Sequence, residues 1–136
     1  MRVYLGPYKV KTNKKRSVNI RIDSYDTWNM DHTLALIIHP MLLKLKKDKH
    51  GSPAVSDSDL PSDFVSQYPD GTGDDIHIRW DYVLAQMIFS FEHILDDTWE
   101  SELMEKPDWI NEYNAIQEKI QSGLVLFGKY FTALWT

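Results

Sequence analysis

His77, Arg79, Trp80 and Asp81 stand at the entrance of an otherwise greasy stretch, DDIHIRWDYVLAQMIFSFEHILDD (residues 74–97). An imidazole, a guanidinium, an indole and a carboxylate within five positions could hold an anion, stack a flat base or share a metal ion. Two other segments offer matching chemistry. YDTWNMD (25–31) places Trp28 just before a helical pattern, and KHGSP (49–53) closes that pattern with Lys49 and His50. If the two helices pack antiparallel, the end of one meets the start of the other. Lys49, His50, His77 and Arg79 then gather as cations, with Trp28 and Trp80 as stacking faces and Asp81 beside them. The competing reading makes both indoles core or staple residues and the cations ordinary caps.

Metal and catalytic chemistry find less support. His77 and Asp81 are four apart and could reach one ion, but such a pair at a helix start commonly forms only a hydrogen bond. The sequence contains neither HExxH nor Glu-x-x-His. His32 and His39 are seven apart, with Pro40 disturbing their register. Asp81, Glu92 and Asp96 fall within roughly 60° of one another at 100° per residue, a row that is acid–base machinery only if burial perturbs it. There is no cysteine, no G-x-S-x-G elbow, and no phosphate loop beyond an isolated GTG at 71–73. Enzymatic activity is therefore the weaker expectation, and no metal or cofactor is expected.

The elements that must position these residues follow from periodicity. MRVYL and VNIRI alternate as half-buried strands, so residues 1–23 are expected to form an antiparallel pair around Gly6-Pro7 and the basic segment 9–17. A helix over 30–50, capped by Asp26 or Asp31 and kinked at Pro40, ends before Gly51. Residues 51–75 carry three of the six prolines and read as a long loop, with room for a short turn after Pro61. A second helix spans 76–98, its stripe being Trp80, Val83, Leu84, Met87, Ile88, Phe91, Ile94 and Leu95. A third spans 108–134 through Tyr113, Ile116, Ile120, Leu124, Phe127, Phe131 and Leu134. The expected fold is α+β: a helix-dominated single domain over 1–136, with about three main helices packed with a small N-terminal antiparallel β pair.

The chain has 136 residues, 43% of them hydrophobic, enough for a buried core without staples. Its absence of cysteine suits an intracellular compartment, and MRVYLGPYKVKTNKKR lacks the apolar centre of a signal peptide. The longest apolar run, 34–38, is too short to span a bilayer, so no membrane role is expected. Charge is divided. Residues 1–50 hold 11 Lys/Arg against 4 Asp/Glu, and residues 51–136 hold 4 against 16. Opposed halves favour neutralisation within a copy or between copies, so a homo-oligomer is expected. Binding of extended nucleic acid is not, because the acidic half would repel phosphates.

VNIRIDSYDTWNMDHTLALIIHPMLLKLKKDKHGSP, RWDYVLAQMIFSFEHILDD and LFGKYFTALW, with MRVYLGPY, resemble a family of small proteins encoded by tailed bacteriophages. The resemblance covers most of the chain. It departs in two places: related sequences carry a longer tryptophan-rich insert after GPY, and an acidic pair where this chain has Ala85-Gln86. The resemblance implies expression in the cytoplasm of an infected bacterium, and by analogy an anti-defence role. The leading expectation is a non-catalytic binding protein that sequesters a small anionic, nucleotide-like signal. The alternatives are an inhibitor that binds a host protein through the acidic half, and a minor virion or assembly protein. A metal-dependent hydrolase comes last.

Overall fold

Every third or fourth residue from Trp80 to Leu95 is apolar, and that spacing wraps into one continuous helical face. The computed structural model describes residues 1–8, 15–69 and 71–136. It divides into two units, Met1–Leu34 and Ala35–Thr136. The helix-dominated α+β reading holds: three long helices accompany a two-stranded antiparallel sheet.

In the first unit, β1 (Arg2–Leu5) pairs with β2 (Val18–Arg21), joining Val3 to Ile20 and Leu5 to Val18. Gly6 extends the ladder by donating to the Ser17 carbonyl at 2.9 Å. The basic segment expected over 9–17 lies partly outside the described residues. All eight strand residues are exposed, so these are not the half-buried strands that alternation suggested. Asp26 does not cap the long helix. Its carboxylate takes the Asp23 N–H at 2.7 Å, within the 3-10 turn Ser24–Thr27.

α1 (Met30–Asp48) continues through Pro40 without a break. In the second unit its Ala35 and Leu42 are buried, whereas Leu36, Met41 and Leu43 are exposed. The stretch expected as one long loop carries structure of its own: a 3-10 turn at Asp57–Asp59 and α2 (Ser62–Gln67), directly after Pro61. Val55 and Leu60 reach into the core and tie the first part of the connection to it. α3 (Gly73–Leu95) begins three residues before the start expected at 76 and ends three before the expected 98. Gly73 has φ +59°, a conformation that carries no penalty only for glycine.

α4 (Trp99–Met104), absent from the sequence expectation, fills the turn before α5 (Trp109–Lys129). α3 and α5 pack most closely at Gly123. A Cβ there would lie 1.9 Å from Ser90 Oγ and 2.3 Å from the Gln86 carbonyl oxygen. Ser90 Oγ donates to the Ile120 carbonyl at 2.7 Å across this crossing. The helix ends at Lys129, so its stripe does not run to 134: Leu126 and Tyr130 are buried while Phe131 is 60% exposed.

Candidate functional site

Lys49 follows the last turn of α1, and Asp81 lies two turns into α3. Their side chains meet at 2.5 Å, Lys49 also donating to the Lys46 carbonyl at 3.1 Å. The helix end and helix start therefore approach each other. The ammonium is nearly buried and already has its counter-ion. His77 shares a 2.8 Å hydrogen bond with Ser52, and His50 faces Thr136, whose hydroxyl takes the His50 N–H at 2.6 Å.

Arg79 is only 2% exposed. Its guanidinium donates to the carbonyls of Val55 at 2.7 Å and Tyr68 at 3.0 Å and pairs with the Asp57 carboxylate. It thus staples the 55–68 connection to α3. Such a buried, multiply bonded cation holds a fold, because both terminal nitrogens are spent on protein acceptors, while the buried Nε has no partner among the described residues. Trp80 is fully buried, edge-on to Tyr130 with centroids 5.5 Å apart. Trp80 is core and has no face open to a guest, and Trp28, in the first unit, is 82% exposed beside Tyr25. In the second unit Lys49 and His77 bond beside one face of α3, whereas Arg79 reaches the 55–68 connection and His50 faces Thr136.

Sequence reasoning missed the cluster behind Trp80. Tyr130 Oη donates to Asp59 at 2.5 Å and accepts the Ser56 N–H at 3.1 Å, and Lys129 reaches the same carboxylate at 2.6 Å. Burial pushes the Asp59 carboxyl up, but the hydrogen bonds from Lys129 and Tyr130 outweigh it and leave the group below the usual carboxylate range. No local pattern announces this cluster, since its members are about 70 residues apart. Beside it, an open groove of about 610 Å³ is bounded by Asp59, Glu118, Gln121 and Val125. None of the seven expected site residues lines it.

The carboxylate row expected on one helix face does not form. Asp81 is paired with Lys49, and Asp96 lies past the end of α3 as its C-cap. The Asp96 carboxylate instead accepts the Thr98 hydroxyl at 2.7 Å and the Thr98 N–H at 2.9 Å. Those bonds, the hydroxyl's foremost, hold its carboxyl below the ordinary range. Among the described residues no group of three His, Asp or Glu side chains could hold a metal ion, and no helix is long and apolar enough to cross a membrane.

A different surface stands out. From Asp96 to Glu112 the chain carries Asp96, Asp97, Glu100, Glu102, Glu105, Asp108 and Glu112, all exposed, against Lys106 alone. Met104 and Ile110 are 46% and 52% exposed among them. Aromatic packing braces this stretch. Trp99 stacks on Tyr113 at 5.7 Å and 20°, its Nε1 donates to the His93 carbonyl at 3.2 Å, and Trp109 meets Tyr113 edge-on. Acids within a Debye length of one another, on a fixed scaffold, sum to a field that attracts basic surfaces.

No protein-family model, curated protein or solved structure matches the chain.

Proposed function

We propose that the chain is a non-catalytic binding protein that docks a basic surface of a partner protein on its acidic α4–α5 face. The phage-family resemblance sets this in the cytoplasm of an infected bacterium, where the partner is a host factor that binding disables. One observation carries the reading: seven exposed carboxylates and two exposed apolar side chains fall within residues 96–112, a stretch braced by the stacking of Trp99 on Tyr113. Charge gives such a face its on-rate and selectivity, and the apolar centre gives it adhesion. The test is capture from bacterial lysate by the wild-type chain and by a Glu100→Lys, Glu102→Lys, Glu105→Lys variant of equal thermal stability. One basic host protein retained by the first and lost by the second supports the reading. Equal capture by both removes the acidic face from it.

Sequestration of an anionic nucleotide-like molecule remains a second reading, favoured by Lys49 and His77, which bond Asp81 and Ser52 beside one face of the first turns of α3. A guest there has to displace internal partners. A bound nucleotide at a hundredfold excess over its dissociation constant adds about 2.7 kcal/mol of stability. A thermal-shift panel of mono-, di- and cyclic nucleotides with no shift ends this reading.

A further inference from the structure

We infer that the polar side of the N-terminal ribbon, with the turn that follows it, is a binding strip for a short single strand of nucleic acid. The strip lies within the first unit and does not depend on the α4–α5 face. The register places Arg2, Tyr4, Asn19 and Arg21 on one side of the ribbon and Val3, Leu5, Val18 and Ile20 on the other. Arg2 stands directly opposite Arg21, and like charges so placed weaken a ribbon unless an anion lies between them. Asp23 relieves Arg21, at 3.3 Å, whereas Arg2 has no ion pair among the described residues. Both arginines, with Met1, Asp23 and Tyr25, bound an open groove of about 280 Å³.

The aromatic residues decide which anion suits these cations. Tyr4 and Tyr25 are 58% and 57% exposed, and Trp28 more so. Tyr4 shares the arginines' side of the ribbon, Tyr25 bounds their groove, and Trp28 packs on Tyr25. Tyr25 Oη donates to Asp23 at 3.1 Å, which holds its ring at the groove. Tyr25 and Trp28 meet at 71° with centroids 6.4 Å apart, so one flat base cannot stack on both. Separate ring faces suit successive bases of a strand better than a lone nucleotide. Bases already paired and stacked in a duplex have no face to give them. Asn19, opposite Tyr4, adds an amide for a base edge. The nearby carboxylates are engaged: Asp23 and Asp26 take the Met1 amino group at 3.2 Å and 2.9 Å, and Asp26 also takes the Asp23 N–H. By sequence the first unit holds seven Lys/Arg against three Asp/Glu, and the second eight against seventeen. The acids that weigh against coating by an extended nucleic acid thus belong mostly to the second unit, and the strip asks only for a short strand.

The experiment is fluorescence anisotropy with a labelled oligodeoxythymidylate of about ten nucleotides, the matching oligouridylate, and a DNA duplex of the same length. One or both single strands should bind more tightly than the duplex, and the tighter one identifies the sugar. Trp28→Ala should weaken binding about tenfold, whereas Trp28→Phe, which keeps a ring face, should weaken it far less. The logarithm of affinity should fall with the logarithm of salt concentration. That slope should flatten by about 1.4 in Arg2→Ala with Arg21→Ala, the loss of two phosphate contacts at about 0.7 each. Ile20→Thr, on the ribbon's other side, should bind as the wild type does. No binding to either strand at low salt overturns the inference, as does a duplex bound as tightly. Affinity unchanged by Trp28→Ala, or a salt slope unchanged in the arginine pair, overturns it as well. A loss in Ile20→Thr as large as in the arginine pair overturns the assignment to the polar side.

Discussion

Replacing Arg79 with methionine separates a fold-holding guanidinium from a ligand-binding one. Methionine keeps much of the apolar stem and deletes every donor. The Val55 and Tyr68 carbonyls lose their 2.7 Å and 3.0 Å bonds inside a residue environment only 2% exposed. Each orphaned acceptor costs about 1–3 kcal/mol. Asp57 returns to water at little cost, since its side chain is already 69% exposed. Relief of the buried charge offsets part of the loss. The net expectation is a destabilisation of about 3 kcal/mol, or a fall of about 10 °C in melting temperature for a domain of this size. Urea unfolding followed by circular dichroism should show the midpoint falling by about 1.5 M, taking a slope of about 2 kcal/mol per molar. Asp57→Asn should lose less than about 1 kcal/mol, because its contact is on the solvent side. An Arg79→Met chain as stable as the wild type refutes the staple, and equal losses in the two variants refute the assignment of the energy to the carbonyls.

Gly123→Ala should destabilise by about 2 kcal/mol or more, read by thermal unfolding, although alanine gains about 1 kcal/mol of helix propensity; the added methyl would overlap the Gln86 carbonyl oxygen. Asp59→Asn should lower stability at neutral pH. The folded-state pKa of Asp59 is depressed, so its contribution is present above the ordinary carboxylate pKa and lost as pH falls through the folded value. The melting-temperature gap between wild type and Asp59→Asn should therefore close as pH falls below the ordinary carboxylate range, and a gap independent of pH removes the linkage. Lys49→Met should cost about 1 kcal/mol in chemical denaturation, because Asp81 is 40% exposed and regains water.

The periodicity of the chain determined its helices well. Trp80, Val83, Leu84, Met87 and Phe91 are buried as their spacing demands, because one helix face is a local property of the sequence. Alternation likewise gave two strands in antiparallel register. The same local information misjudged the burial of the strands, since alternation marks an apolar side without saying what covers it. It carried the third stripe past Lys129, where the helix ends and the phase is lost. Only the tertiary structure decided what the charged residues do. Arg79 looks identical in sequence whether its guanidinium meets solvent, a guest or three protein acceptors, and the Asp59–Lys129–Tyr130 cluster joins residues about 70 positions apart. Pairing of charges depends on distances across the fold, whereas the acidic run from Asp96 to Glu112 is contiguous. Its composition was therefore written in the chain, whereas the stacking of Trp99 on Tyr113 within it depends on how α4 meets α5.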